Sequence, residues 1–283
     1  MLKKTTLLFT LLIFISFSAR AQMERERVVQ EGPVEETFWA PGLIGMSTVE
    51  VIGHKNINAT IMHSFGLIND EPLHNFLGMD FGASVRLGID YGITDNWSLG
   101  VGRSSPQKQY DFRTKYALFR QTTTDNVPLS ITLKGDMGID TNKNGYSFGD
   151  RLNFFASANV ARKFNDQLSL QVSPMISHFN TVFTGEEKTH FALGLAGEYH
   201  ISDRYALMAE YLPVLGERSE GTANAFSVGL NIETGGHVFQ LFLKTSDWHT
   251  EQHIIAQNDD KFWDGDIRFG FNVNRIFWTG EKQ

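Results

Sequence analysis

Between Asp80 and Ser104 the chain reads DFGASVRLGIDYGITDNWSLGVGRS, with its apolar residues on every second position. Val85, Leu87, Ile89, Tyr91 and Ile93 alternate with Ser84, Arg86, Gly88, Asp90 and Gly92, and after Thr94-Asp95-Asn96 the alternation resumes at Trp97, Leu99 and Val101. A period of two interrupted by a short polar turn predicts a long β-hairpin with one apolar and one polar face. A soluble sheet would share that period. What sets this chain apart is the mixture of tiny and charged residues on the polar face, the strand length, and the recurrence of the same unit to the C-terminus. Together they predict an all-β fold, a transmembrane antiparallel β-barrel.

Short polar turns fall at Thr94 to Asn96, Thr124 to Asn126, Asn165 to Gln167, Ser202 to Arg204 and Thr234 to Gly236. Longer irregular connections lie near 67–80, 104–109, 140–149, 180–188, 214–222 and 246–264. Short turns on one side and long loops on the other is the asymmetry of outer-membrane barrels, with the short side periplasmic. From the strand beginning at Ile57 to the last, Asp266 to Trp278, the count is 12 strands, and an even number returns the C-terminus to the periplasm. The outward set is apolar strand after strand, as in Leu129, Ile131 and Leu133 or Phe191, Leu193 and Leu195. Tyr91, Trp97, Tyr199, Tyr205 and Trp278 sit near strand ends, where amphipathic rings favour a membrane interface. Small residues on the other face, Gly88, Gly100, Gly102, Gly194 and Gly229, suit a narrow, curved lumen shared with long side chains.

The N-terminus sets the compartment. Lys3 and Lys4 precede an apolar run from Leu7 to Phe17, and Ala19-Arg20-Ala21 follows, which predicts a signal peptide over 1–21 cut before Gln22. That run of 11 residues would reach only about 16 Å as a helix, against a hydrocarbon core of about 30 Å. Residues 22–56 read as a charged lead carrying one segment, Leu43 to Ile52, that is either a non-spanning strand or a lumen insert. Residues 57–279 form the barrel, and 280–283 are a short tail beyond the terminal aromatic residues. The expected location is the cell outer membrane, with its lipids as the partner. A net charge of −7 argues against a nucleic-acid binder, and the absence of Cys removes disulfides, thiol catalysis and thiolate metal sites.

Several phrases also resemble a known family. Arg86-Leu87-Gly88-Ile89-Asp90-Tyr91-Gly92-Ile93-Thr94, Gly100-Val101-Gly102-Arg103-Ser104-Ser105, Asn231-Ile232-Glu233-Thr234-Gly235-Gly236-His237 and Gly265-Asp266-Ile267-Arg268-Phe269-Gly270 are similar to those of a bacterial outer-membrane β-barrel family of unknown function. The resemblance runs from about Ile52 to Trp278. It implies fold and location and brings no catalytic residues.

Function must then be read from the lumen. By strand parity it holds Arg86, Arg113, Lys115, Lys134, Lys163, Lys244 and Arg268 against Asp90, Asp111, Asp136, Glu198, Glu210, Glu233 and Asp266. The signs balance, and isolated ions in a poorly hydrated space are costly, so these groups are expected to pair across the interior. The readings are a structural barrel filled by an ion-pair network, or a narrow passive channel for small polar solutes. The competing class is a lipid-modifying barrel enzyme. Its one invitation, Ser177-His178, fails on parity, because neighbouring strand residues face opposite sides. His249 and His253 have helical spacing in a long outer loop, for which exposed polarity is the plainer reading than a metal site with Glu251. In the loop DTNKNGYSFGD, Asp140, Asn142 and Asn144 before Gly145 match the first half of a calcium loop, with Asp150 as a further ligand. The position of the bidentate Glu is Arg151, so a polar turn is the plainer reading, and calcium there would bind weakly, at about 10⁻⁴ to 10⁻³ M.

Overall fold

A computed structural model of the chain describes residues 31–143 and 145–279. The expected signal peptide, most of the charged lead, Asn144 and the tail at 280–283 lie outside the described residues. From Gly32 onward the chain is one compact unit.

Its strands are β1 (Asn56–Leu67), β2 (Ser84–Thr94), β3 (Trp97–Ser104), β4 (Tyr110–Phe119), β5 (Ser130–Ile139), β6 (Leu152–Lys163), β7 (Leu168–Phe179), β8 (Thr189–Ser202), β9 (Tyr205–Leu212), β10 (Val214–Leu215), β11 (Ala225–Glu233), β12 (His237–Lys244) and β13 (Arg268–Trp278). Each pairs antiparallel with its neighbours, and β1 meets β13 with Asn56 opposite Trp278 and Ser64 opposite Gly270, which closes the sheet. β10 continues β9 beyond Pro213 and pairs with the same neighbour, β8, so the closed barrel has the expected 12 staves. Closure is what permits the fold in hydrocarbon, since it leaves no strand edge with unpaired backbone groups.

Burial alternates along the staves, most cleanly in β3, β9 and β12. The outer face exposes Leu87, Ile89, Leu99, Val101, Leu133, Phe191 and Leu207 in an apolar band that water would not tolerate and lipid covers. The five rings expected at the interfaces, Tyr91, Trp97, Tyr199, Tyr205 and Trp278, are all exposed.

Inside, two stretches of chain other than the staves shape the lumen. Leu43 to Ile52 is not a strand: it is irregular chain within the lumen, folded on itself by hydrogen bonds from Leu43 N to Met46 O (2.9 Å) and Thr48 N to Pro41 O (3.0 Å). Every stave already has two partners, so this segment has no ladder to join, and its backbone groups must be satisfied by side chains. The β12–β13 connection is not wholly an exposed outer loop either. It turns inward and forms a short helix, α1 (Glu251–Gln257), whose first six residues are buried. Phe38, Leu43, Ile44, Met46 and Val49 pack with Ile254 and Ile255 of α1 and with the inward-facing Phe155, Met175, Met208, Leu212 and Phe242. The lumen therefore holds an apolar core, bounded by polar wall residues.

Candidate functional site

The inserted segment begins and ends at the rim of short turns. Pro33 bridges to Thr122 in the β4–β5 connection, and His54 N donates to Asp95 Oδ1 (3.0 Å) in the β2–β3 turn. Between these points its backbone is held from around the barrel. Asn159 donates to Thr48 O (3.1 Å), Gln171 to Ser47 O (2.8 Å), Thr132 to Val49 O (2.6 Å), and Gln240 to Gly42 O (3.1 Å). Asn272 donates to Leu43 O (3.3 Å) and Ile44 O (3.1 Å), and Lys115 to Pro41 O (3.0 Å) and Glu50 O. Carboxylates take the opposite polarity: Glu210 accepts from Gly45 N (2.9 Å) and Met46 N (3.0 Å), and Glu198 from Trp39 N (3.3 Å). Backbone groups buried away from water need such partners, and here the wall supplies them one stave at a time.

α1 closes over this segment from the opposite end. Glu251 accepts from Ser47 N (2.8 Å) and forms an ion pair with Lys134, whose ammonium also lies 3.9 Å from Asp136. His253 stacks on Trp248, meets the edge of Phe179, and shares hydrogen bonds with Thr250 (2.8 Å) and Gln107 (3.1 Å). Burial pushes the His253 imidazolium down to about 3, and His249 is likewise held well below the usual histidine range, first by burial and then by the Lys244 charge. Both rings are therefore neutral at ordinary pH. In the inserted segment, burial pushes the Glu50 carboxyl up, against the hydrogen bond it accepts from Phe38 N (3.2 Å).

The side of the lumen facing β1 to β3 is not filled. A cavity of about 90 Å³, lined by charged, polar and some apolar side chains, lies there between Pro41, Gly45 and Glu50 of the insert and Asn58, Thr60, Met62, Arg86, Asp90 and Ser98 of the wall. That is room for several waters at roughly 10–15 Å³ each. Its wall carries an ion cluster in which Arg86 holds Asp111 through two bonds (3.0 and 2.6 Å) while Arg113 bridges Asp111 to Asp90 (2.8 Å). Glycine makes this cluster possible: a Cβ at Gly102 would come within 2.8 Å of Arg113 and within 2.7 Å of Asp111.

The 14 charged residues assigned to the lumen by parity thus divide. Arg86, Asp90, Asp111 and Arg113 form one cluster, and Lys134 and Asp136 meet Glu251 of α1. Lys115, Glu198 and Glu210 hold the inserted backbone, and Lys244 donates to Trp248 O (3.0 Å) in the β12–β13 connection. Four lie at the rims. Lys163 donates to the carbonyls of Glu35 (3.3 Å) and Glu36 (3.2 Å), and Glu233 accepts from Gly235 N within its own turn. Asp266 accepts from Asn69 (3.2 Å), and Arg268 pairs with Asp260 (2.8 Å) in the loop before it. Wall residues pair with one another in the cluster of Arg86, Asp90, Asp111 and Arg113, whereas Lys115, Lys134, Glu198, Glu210 and Lys244 meet the chain that fills the lumen. The neutral gripping residues Thr132, Asn159, Gln171, Gln240 and Asn272, and Glu251, were missed, although inward parity with a carboxamide or hydroxyl was the sign by which the wall residues could have been found.

At the outer loop proposed for calcium, Asp140 Oδ1 accepts from Asn142 N (2.7 Å) and Asp150 Oδ2 accepts from Ser147 Oγ (2.7 Å), while Asn144 is outside the described residues. Among the described residues no group of three or more His, Asp or Glu side chains is placed to hold a metal ion. Ser177 is buried in the lumen, whereas the His178 ring, on the other face, bonds Thr189 (2.7 Å). A Ser–His contact does occur inside, Ser84 Oγ to His249 Nε2 at 3.0 Å, but Ser84 donates its proton to Asp247 O (2.8 Å). His249 is then the donor to Ser84, the reverse of what nucleophile activation requires.

These features define a class: a 12-stranded antiparallel barrel that sits in the outer membrane with its own chain folded into the lumen. Residues 38–277 match the family described as membrane bound beta barrel domain (DUF5777), and the chain belongs to that family. The match begins at Phe38 and so takes in the inserted segment as well as the staves. No curated protein matches the chain. Among solved structures it is similar to the NanC porin, at 7% identity and a TM-score of 0.50, over 80% of this chain and 100% of that one. The KdgM porin is matched at 11% identity and a TM-score of 0.48, over 77% of this chain and 99% of that one. At such identities the likeness is one of fold.

Proposed function

We propose that the protein is a narrow passive channel for water, ions and small polar solutes, closed to anything larger by residues 38–52 and α1. The observation that carries this reading is the cavity left beside β1 to β3, with charged side chains in its lining. Arg86, Arg113, Lys115 and Lys134 face it against Glu50, Asp90, Asp136 and Glu251, so it favours neither sign of ion. A barrel serving only as scaffold would gain by filling that space with apolar side chains, since burying ions costs more than their pairing returns unless every partner is met. Swelling of liposomes loaded with the protein tests the reading with solutes of graded size. Glycerol and urea should enter and a disaccharide should not. Uptake of the disaccharide at the same rate, or of none of the three, would contradict it. For the lipid-modifying alternative, the buried Ser84–His249 contact offers no lipid-facing nucleophile.

A further inference from the structure

The wall of this lumen reads backbone. Described hydrogen bonds from the staves to residues 39–50 end on main-chain N–H or C=O groups, with donors and acceptors arranged by stave to suit an irregular, turned peptide. The side chains of the insert meet adaptable apolar surface instead. Met46 lies against Gly194 and Met175, and a Cβ at Gly194 would clash with both, so the notch for residue 46 is built by a missing side chain and shaped by flexible thioethers. Both ends of the insert are at the rim of short turns, and its junction with β1 passes through the exposed His54 and Lys55. A segment held by backbone contacts, with both ends at one mouth, is seated in its barrel as a ligand is.

Resting on the plugged-channel reading, we propose that the lumen is a binding site for a short, turned peptide segment gripped through its main chain, occupied in cis by residues 38–52 and able to exchange that segment for a separate peptide. The occupant is defined by main-chain groups and modest apolar side chains. Its one ionisable side chain, Glu50, accepts from the segment's own Phe38 N (3.2 Å).

The test uses the full chain with a site-specific protease sequence inserted between His54 and Lys55, folded and then cut in detergent. The freed N-terminal fragment should copurify with the barrel and exchange with an excess of fluorescent peptide spanning residues 32–54. A peptide N-methylated at Met46 loses the N–H that Glu210 accepts and should bind about tenfold more weakly or worse. A fragment that never exchanges, one that leaves and is not replaced, or equal binding of the N-methylated peptide would each overturn the proposal. If the insertion prevents folding, intact protein carrying Met46→Cys serves, because the chain has no other Cys. Thiol labelling of the folded barrel within hours supports exchange, and complete protection overturns it. Neither readout uses conductance, so failure here is distinguishable from failure of the channel reading.

Discussion

Glu210→Ala isolates the grip on the insert from the integrity of the barrel. The Glu210 carboxylate is 1% exposed, accepts from two successive N–H groups at 2.9 and 3.0 Å, and has no cation within ion-pair distance among the described residues. Two hydrogen bonds to a charged acceptor contribute about 1.5–3 kcal/mol each, and the cost of burying the carboxylate offsets part of that. We expect the seated insert to lose about 2–4 kcal/mol, which raises the displaced population roughly 30- to 1,000-fold. Strand pairing is untouched, since Glu210 meets Ala196 through its backbone. In single-channel recordings the variant should show frequent large openings, while its heat-dependent gel mobility matches wild type. Openings as rare as in wild type, with folded mobility retained, would refute the argument that these N–H bonds hold the channel shut.

Arg86→Ala should raise the small background conductance and lower the melting temperature by a few degrees, because Asp111 keeps Arg113 as a partner; an unchanged melt and conductance would show the cluster to be idle. Gly102→Leu should destabilise the barrel by about 1–3 kcal/mol by displacing Arg86, Asp111 and Arg113, read as a lower unfolding midpoint in denaturant. His253 is lowered from 6.5 to about 3, so the folded state binds fewer protons than the unfolded one between these values. The stability it supports is present above pH 6.5 and declines as pH falls toward 3. Proteolysis within residues 245–258 should increase over that window and flatten in His253→Gln; a pH-independent digest would oppose this. Wild-type protein should also give a β-rich circular dichroism spectrum in mild detergent, and a helical one would sink the fold.

The barrel was legible because lipid imposes a strict rule on one face. Val85, Leu87 and Ile89 must be apolar, and once that face is read, stave number and turn side follow. The lumen obeys a looser rule. Parity placed Arg86, Asp111 and Arg113 in the lumen, because charge is conspicuous, and there Arg86 of β2 reaches Asp111 of β4 across Gly102 of the stave between them. It left Leu43 to Ile52 open between a strand and a lumen insert, because Ile44 and Met46 have no period: the backbone there is satisfied by side chains up to 229 residues away in sequence, as between Leu43 and Asn272. It also placed His249 and His253 in exposed loop, since seven residues of helix between two long strands carry too little pattern to show that they fold inward.

The most direct test of the central claim, a barrel closed by its own N-terminal segment, is the conductance of the folded full-length protein in a planar bilayer. Occupancy of the lumen predicts a small, weakly ion-selective conductance broken by brief larger openings. Large, steady pores in the wild-type protein would contradict it.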